Sequence, residues 1–157
     1  MPRALSLAVA ASGTVGHTLD VPIADATHDR LRAALAGGPP LRLAVLFGSQ
    51  ATERAREGSD FDIGIIPVDP ELSLHEELAL ASALSAAVGA EVDVVRLDDD
   101  APQLGAEVAR GGVCLVEEAP GVFAAYRADA MSRWLDFEDT IAPHRAHFLR
   151  RLAGTGP

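Results

Sequence analysis

The order of apolar runs and polar breaks in this 157-residue chain predicts one small α/β (α+β) domain, a mixed β-sheet with helices packed on one main face. Three observations carry that prediction. Four short apolar runs are separated by segments of helical periodicity, giving the order helix, strand, helical turn, strand, helix, strand, helix, strand, helix. The connection between the second and third strands is long enough to hold a helix, which suits parallel neighbours, whereas the short link between the first and second suits adjacent strands. Finally, 48% apolar and 23% charged residues are the proportions of a folded domain long enough to bury a core.

Residues 3–23 read two ways. Leu5, Leu7 and Val9 alternate, Gly13 and Gly16 interrupt them, and residues 18–23 fit a short strand or an extended loop. Residues 25–36 form a helix with Leu31 and Leu35 on one side and Asp29, Arg30 and Arg32 on the other. Gly37-Gly38-Pro39-Pro40 stops it. Residues 43–47 are a continuous apolar strand ending in a Gly48-Ser49 turn. After a polar helical turn, a second strand opens with Asp60 and Asp62 and becomes apolar through Ile66.

Ser73 is the expected N-cap of the next helix, with Glu76 completing a capping box. Leu74, Leu78, Ala81, Leu84 and Val88 are its expected core stripe, and Gly89 its stop. His75, Glu76 and Glu77 are adjacent at a helix start and share no face, so they read as a solvated first turn rather than a metal site. Residues 91–97 alternate as a strand. Asp98-Asp99-Asp100 is expected to cap a helix over 102–110, and 113–117 is the last strand. Over 121–152 the period is helical and carries most of the aromatics, with Pro143 dividing it into two helices or one bent one. Packing on the sheet and an exposed partner surface both account for those aromatics.

The chemistry gathers at residues 43–66. Gly48 lets backbone approach a ligand closely, and Ser49 offers a hydroxyl and an amide where unpaired N–H groups favour an anion. Asp60 and Asp62 point to one face of their strand, with Gly64 following, while Phe61, Ile63 and Ile65 point into a core. Two neighbouring carboxylates repel unless a cation lies between them, and Mg²⁺ prefers one or two carboxylates plus phosphate oxygens. Asp93, a carboxylate inside an otherwise apolar strand, needs a partner or an exposed site.

Gly48-Ser49, ten residues, then Asp60-Phe61-Asp62 resembles the GS-x10-D-x-D signature of the DNA polymerase beta-like nucleotidyltransferase superfamily. FGSQA…SDFDIGI, with WLDFED…RRL near the end, is similar to its minimal nucleotidyltransferase branch. The resemblance implies a palm-like core over 41–117 with a helical tail over 121–152, in a single domain spanning 1–157. It implies AMP transfer from ATP with two Mg²⁺ ions held by Asp60 and Asp62. Asp93 would be a third ligand that helps take the acceptor's proton, and Gly48 and Ser49 would cradle the β and γ phosphates. Arg54 and Arg56 would clamp the triphosphate or pair with Glu53 and Glu57. The branch often has arginine directly after G-S; this chain has Gln50. Members of the branch act as antitoxins that modify a tyrosine of a HEPN-domain ribonuclease toxin, in type VII toxin–antitoxin pairs, so a hetero-oligomer with such a toxin is implied. The other readings are a small-molecule nucleotidyltransferase of the antibiotic-modifying kind and a non-catalytic antitoxin that masks its partner by binding.

Bulk composition narrows the field. A net charge of −10 and a pI near 4.8 argue against direct nucleic-acid or anionic-membrane binding and favour a basic partner. All 13 basic residues are arginine, which excludes a lysine-bearing Walker loop and Schiff-base chemistry. The single cysteine, Cys114, reads as a core residue in a reducing cytoplasm. The apolar run near the amino terminus is short and interrupted by Ser6, so it is not read as a signal peptide, and no stretch reaches membrane-spanning length.

Overall fold

The computed structural model describes residues 23–51, 60–97 and 101–152. The elements follow the expected order: α1 (Ile23–Ala36), β1 (Leu41–Phe47), a 3-10 turn (Gly48–Ala51), β2 (Phe61–Pro67), α2 (Leu74–Val88), β3 (Val92–Arg96), α3 (Pro102–Gly111), β4 (Val113–Glu117) and α4 (Val122–Leu152). The ambiguous segment before α1 lies outside the described residues, as do Asp98, Asp99 and Asp100.

The sheet order is β3-β2-β1-β4. β1 pairs antiparallel with both β2 and β4, whereas β2 and β3 run parallel across the α2 crossover. The mixed sheet is the one expected, but its helices divide between two faces instead of covering one. Leu46, Ile63, Leu84 and Val92 form a core with Leu31 and Leu35 of α1. Leu43, Val45, Phe47 and Leu97 form another with Val108 of α3, against which Phe123 and Tyr126 of α4 pack. The continuous apolar run of β1 is the reason, because a central strand buried on both sides needs cover on both. Each fully buried aliphatic such as Leu46 or Ile63 contributes about 1.5–3 kcal/mol.

The capping box of α2 forms as expected: Ser73 Oγ accepts from the Glu76 N–H, and the Glu76 carboxylate accepts from the Ser73 N–H at 2.9 Å. Hydrogen bonding to Ser73 holds the Glu76 carboxyl below its usual range. Gly89 closes the helix in the left-handed conformation. The buried stripe of α2 differs from the one expected. Leu80 and Leu84 are inward, while Leu74 and Leu78 are 69% and 61% exposed. Apolar residues nearly encircle this helix, so their period does not set its rotation; Leu80 and Leu84 pack in the core with Leu31 and Leu35 of α1, and Leu80 lies close against Gly38.

Ala101 is the N-cap of α3 and makes no side-chain bond, and Pro102 follows at the helix start, where its missing N–H leaves no bond unmade. α4 continues as one helix through Pro143 rather than splitting in two. Arg127 of α4 donates to the Ala109 carbonyl at 2.7 Å and fixes α4 to the carboxyl end of α3. Cys114 is partly buried, and burial pushes its thiol up, which keeps it protonated and unreactive.

Candidate active site

The site forms where β1 ends. Phe47 is paired with Asp62 across the β1–β2 ladder, and the chain then turns through Gly48 with φ of 73°. The Asp62 carboxylate occupies the space a side chain at Gly48 would need, so glycine is required twice over, for the positive φ and for the close approach. On the far side of β2, Asp62 is paired with Asp93 of β3. Alternation along both strands puts these two carboxylates on the face that carries α3 and α4, while Ile63 and Val94 turn to the opposite core. Asp60 stands just before β2 and is exposed, as is Asp93.

Burial pushes the Asp62 carboxyl up, and the negative charges of Asp93, Glu107 and Asp60 push it further. Four carboxylates thus act on one region. Glu107 belongs to the wall facing Gly48, where the exposed side chains of Gln103, Glu107 and Arg110, with Gly111 of α3, line an open cavity of about 480 Å³ with it. The Arg110 guanidinium lies 5.3 Å from the Trp134 ring centre.

Residues 30–120 match the family described as Polymerase beta, Nucleotidyltransferase. The chain belongs to this nucleotidyltransferase family. Its motif residues Gly48, Ser49, Asp60, Asp62 and Asp93 all fall within the matched span. No curated protein matches the chain in sequence. Among solved structures, a chain of a toxin–antitoxin crystal structure with AMP-PNP is 22% identical with a TM-score of 0.68, the alignment covering 78% of this chain and 98% of that one. A chain of the tri-AMPylated Shewanella oneidensis HEPN toxin in complex with MNT antitoxin is 20% identical with a TM-score of 0.66, covering 81% and 99%. A chain of the toxin–antitoxin MntA-HepT is 21% identical with a TM-score of 0.64, covering 78% and 97%. These likenesses show a shared nucleotidyltransferase fold.

Of the residues singled out in the sequence, the fold brings Gly48, Asp62 and Asp93 together, with Ser49 in the 3-10 turn and Asp60 at the mouth of β2. Arg54 and Arg56 lie outside the described residues. Sequence reading missed Gln103, Glu107 and Arg110. Their spacing of four and three residues on a helix whose opposite side is apolar was the available signal.

Among the described residues, no three His, Cys, Asp or Glu side chains are gathered closely enough to hold a metal ion unaided. Mg²⁺ does not require such a cage, since one or two carboxylates and the phosphate oxygens of a substrate suffice. The hard oxygen donors of Asp62 and Asp93, repelling each other across one strand pair, fit that ion. Among the described residues, no helix is long and apolar enough to cross a membrane.

Proposed function

We propose that this nucleotidyltransferase moves AMP from ATP to a tyrosine hydroxyl of a HEPN-domain toxin and so acts as its antitoxin. The observation that carries the reading is the Asp62 carboxylate lodged against Gly48 and paired in register with Asp93. That arrangement puts a phosphate-compatible turn and a cation-compatible carboxylate pair at one end of one sheet.

Gly48 and Ser49 receive the β and γ phosphates through backbone and hydroxyl groups, because the chain has no lysine to do so. Asp60, Asp62 and Asp93 would hold Mg²⁺ together with the substrate's phosphate oxygens, and the ion would supply charge neutralisation for displacement at the α-phosphorus. Asp93 is exposed at the outer strand of the sheet, where an incoming hydroxyl can reach it and give up its proton. Arg54 and Arg56 are candidates for the triphosphate clamp. The toxin partner and the AMP chemistry are supported by the fold shared with antitoxin complexes, one of them with an AMPylated toxin.

Co-expression tests the reading. The wild-type chain should neutralise a HEPN toxin, and D60A/D62A should lose neutralisation while still binding the toxin. Full neutralisation by the double variant would mean that the chain acts by masking its partner and not by chemistry.

A further inference from the structure

The uncharged Gln50 follows Ser49, so the turn that would meet a triphosphate brings no cation of its own among its described residues. The opposite wall of the cavity brings one. Gln103, Glu107 and Arg110 project from one side of α3 toward the space bounded by Gly48. Gln103 is neutral and Glu107 repels phosphate, which leaves Arg110 as the group on that wall able to attract a polyanion.

Four described arginines are already engaged by carboxylates, Arg32 with Asp29 at 3.2 Å, Arg42 with Glu118 at 3.0 Å, Arg96 with Glu77 at 3.5 Å and Arg133 with Asp129 at 2.6 Å, and Arg127 donates to the Ala109 carbonyl. Arg110 makes no such pair among the described residues. It rests instead over Trp134 of α4. A ring contact steadies the charge without consuming the N–H donors of the guanidinium, which stay available for a bidentate grip on phosphate oxygens.

We propose that Arg110 receives the terminal phosphates of the nucleoside triphosphate and that Trp134 is the positioning residue that holds it at the cavity. The assignment rests on the nucleotidyltransferase reading of the Gly48 site. Binding of AMP-PNP, inorganic tripolyphosphate and AMP with Mg²⁺ tests it, measured by calorimetry on wild type, R110Q and R110K. Trp134 is the only tryptophan in the chain, so its emission reports on the same contact.

R110Q should weaken AMP-PNP and tripolyphosphate by about 10- to 100-fold while leaving AMP, which lacks the terminal phosphates, nearly unchanged. R110K should recover part of the loss, and tripolyphosphate should shift Trp134 emission in wild type but not in R110Q. Wild-type affinity in R110Q would overturn the assignment, as would equal losses for AMP and AMP-PNP in both variants. If wild type itself binds neither AMP-PNP nor AMP, the nucleotide reading falls and this assignment falls with it.

Discussion

Asp62 and Asp93 are direct partners in the parallel ladder between β2 and β3, two carboxylates side by side on one face of the sheet. Their repulsion raises the Asp62 pKa, after burial, which is the larger cause. Such a pair costs the fold stability unless a cation lies between the two carboxylates.

Asp62→Asn should therefore act oppositely on stability and on activity. Asp62 holds its proton more tightly when folded than when unfolded. From its ordinary value of 3.8 up to the raised native value, the folded chain keeps a proton that the unfolded chain has lost. The contribution of this group to stability thus falls as pH rises through that window. In EDTA at neutral pH, D62N should melt higher than wild type and lose that part of the pH dependence, while AMP transfer should fall by about 10²- to 10³-fold or more. Melting curves across pH, beside an activity assay, check both halves.

Adding Mg²⁺ should reverse the order. An ion bound by the native carboxylates stabilises by about 2.7 kcal/mol at a hundredfold excess over its Kd. Wild type should gain melting temperature with Mg²⁺ in the presence of AMP-PNP, and D62N should gain little. Equal shifts in the two proteins would remove Asp62 from the ion site.

Gly48→Ala and Gly89→Ala form a matched pair. Both glycines have φ near 70°, so each alanine costs about 1–2 kcal/mol of backbone strain. A Cβ at Gly89 meets nothing within 4 Å, whereas one at Gly48 strikes the Asp62 carboxylate. G48A should be the less stable of the two in chemical denaturation and should bind nucleotide poorly, with G89A unaffected in binding.

The rotation of α2 can be tested by truncation. Leu80→Ala should cost about 2–5 kcal/mol, since Leu80 is 2% exposed in the core under α1. Leu78→Ala, at 61% exposure, should cost less than about 0.5 kcal/mol. Equal costs would contradict the observed orientation.

Those same leucines mark where the sequence stopped being legible. Element order, the parallel pairing of β2 with β3, the adjacency of β1 and β2, the Ser73 cap and the Gly89 stop were readable, whereas the antiparallel β1–β4 pairing was not. The facing of α2 was not, because Leu74, Leu78, Leu80 and Leu84 offer two overlapping apolar stripes and only tertiary packing selects between them. Coverage of both sheet faces was encoded in the unbroken apolar run of β1, whose Leu43, Val45 and Phe47 require α3 and α4 while Ala44 and Leu46 require α1 and α2. In the candidate site, Gly48, Asp62 and Asp93 stood out because glycine and carboxylates are conspicuous in apolar strands. Glu107 and Arg110 were not, since polar residues on a short amphipathic helix look like solvated surface until the fold turns them toward Gly48.

Intact-mass spectrometry of a HEPN-domain partner, incubated with this chain, ATP and Mg²⁺, decides whether AMP transfer is what the Gly48 site does. The partner should gain one or more AMP units with wild type and none with D60A/D62A. A stable complex whose partner keeps its original mass would rule AMP transfer out.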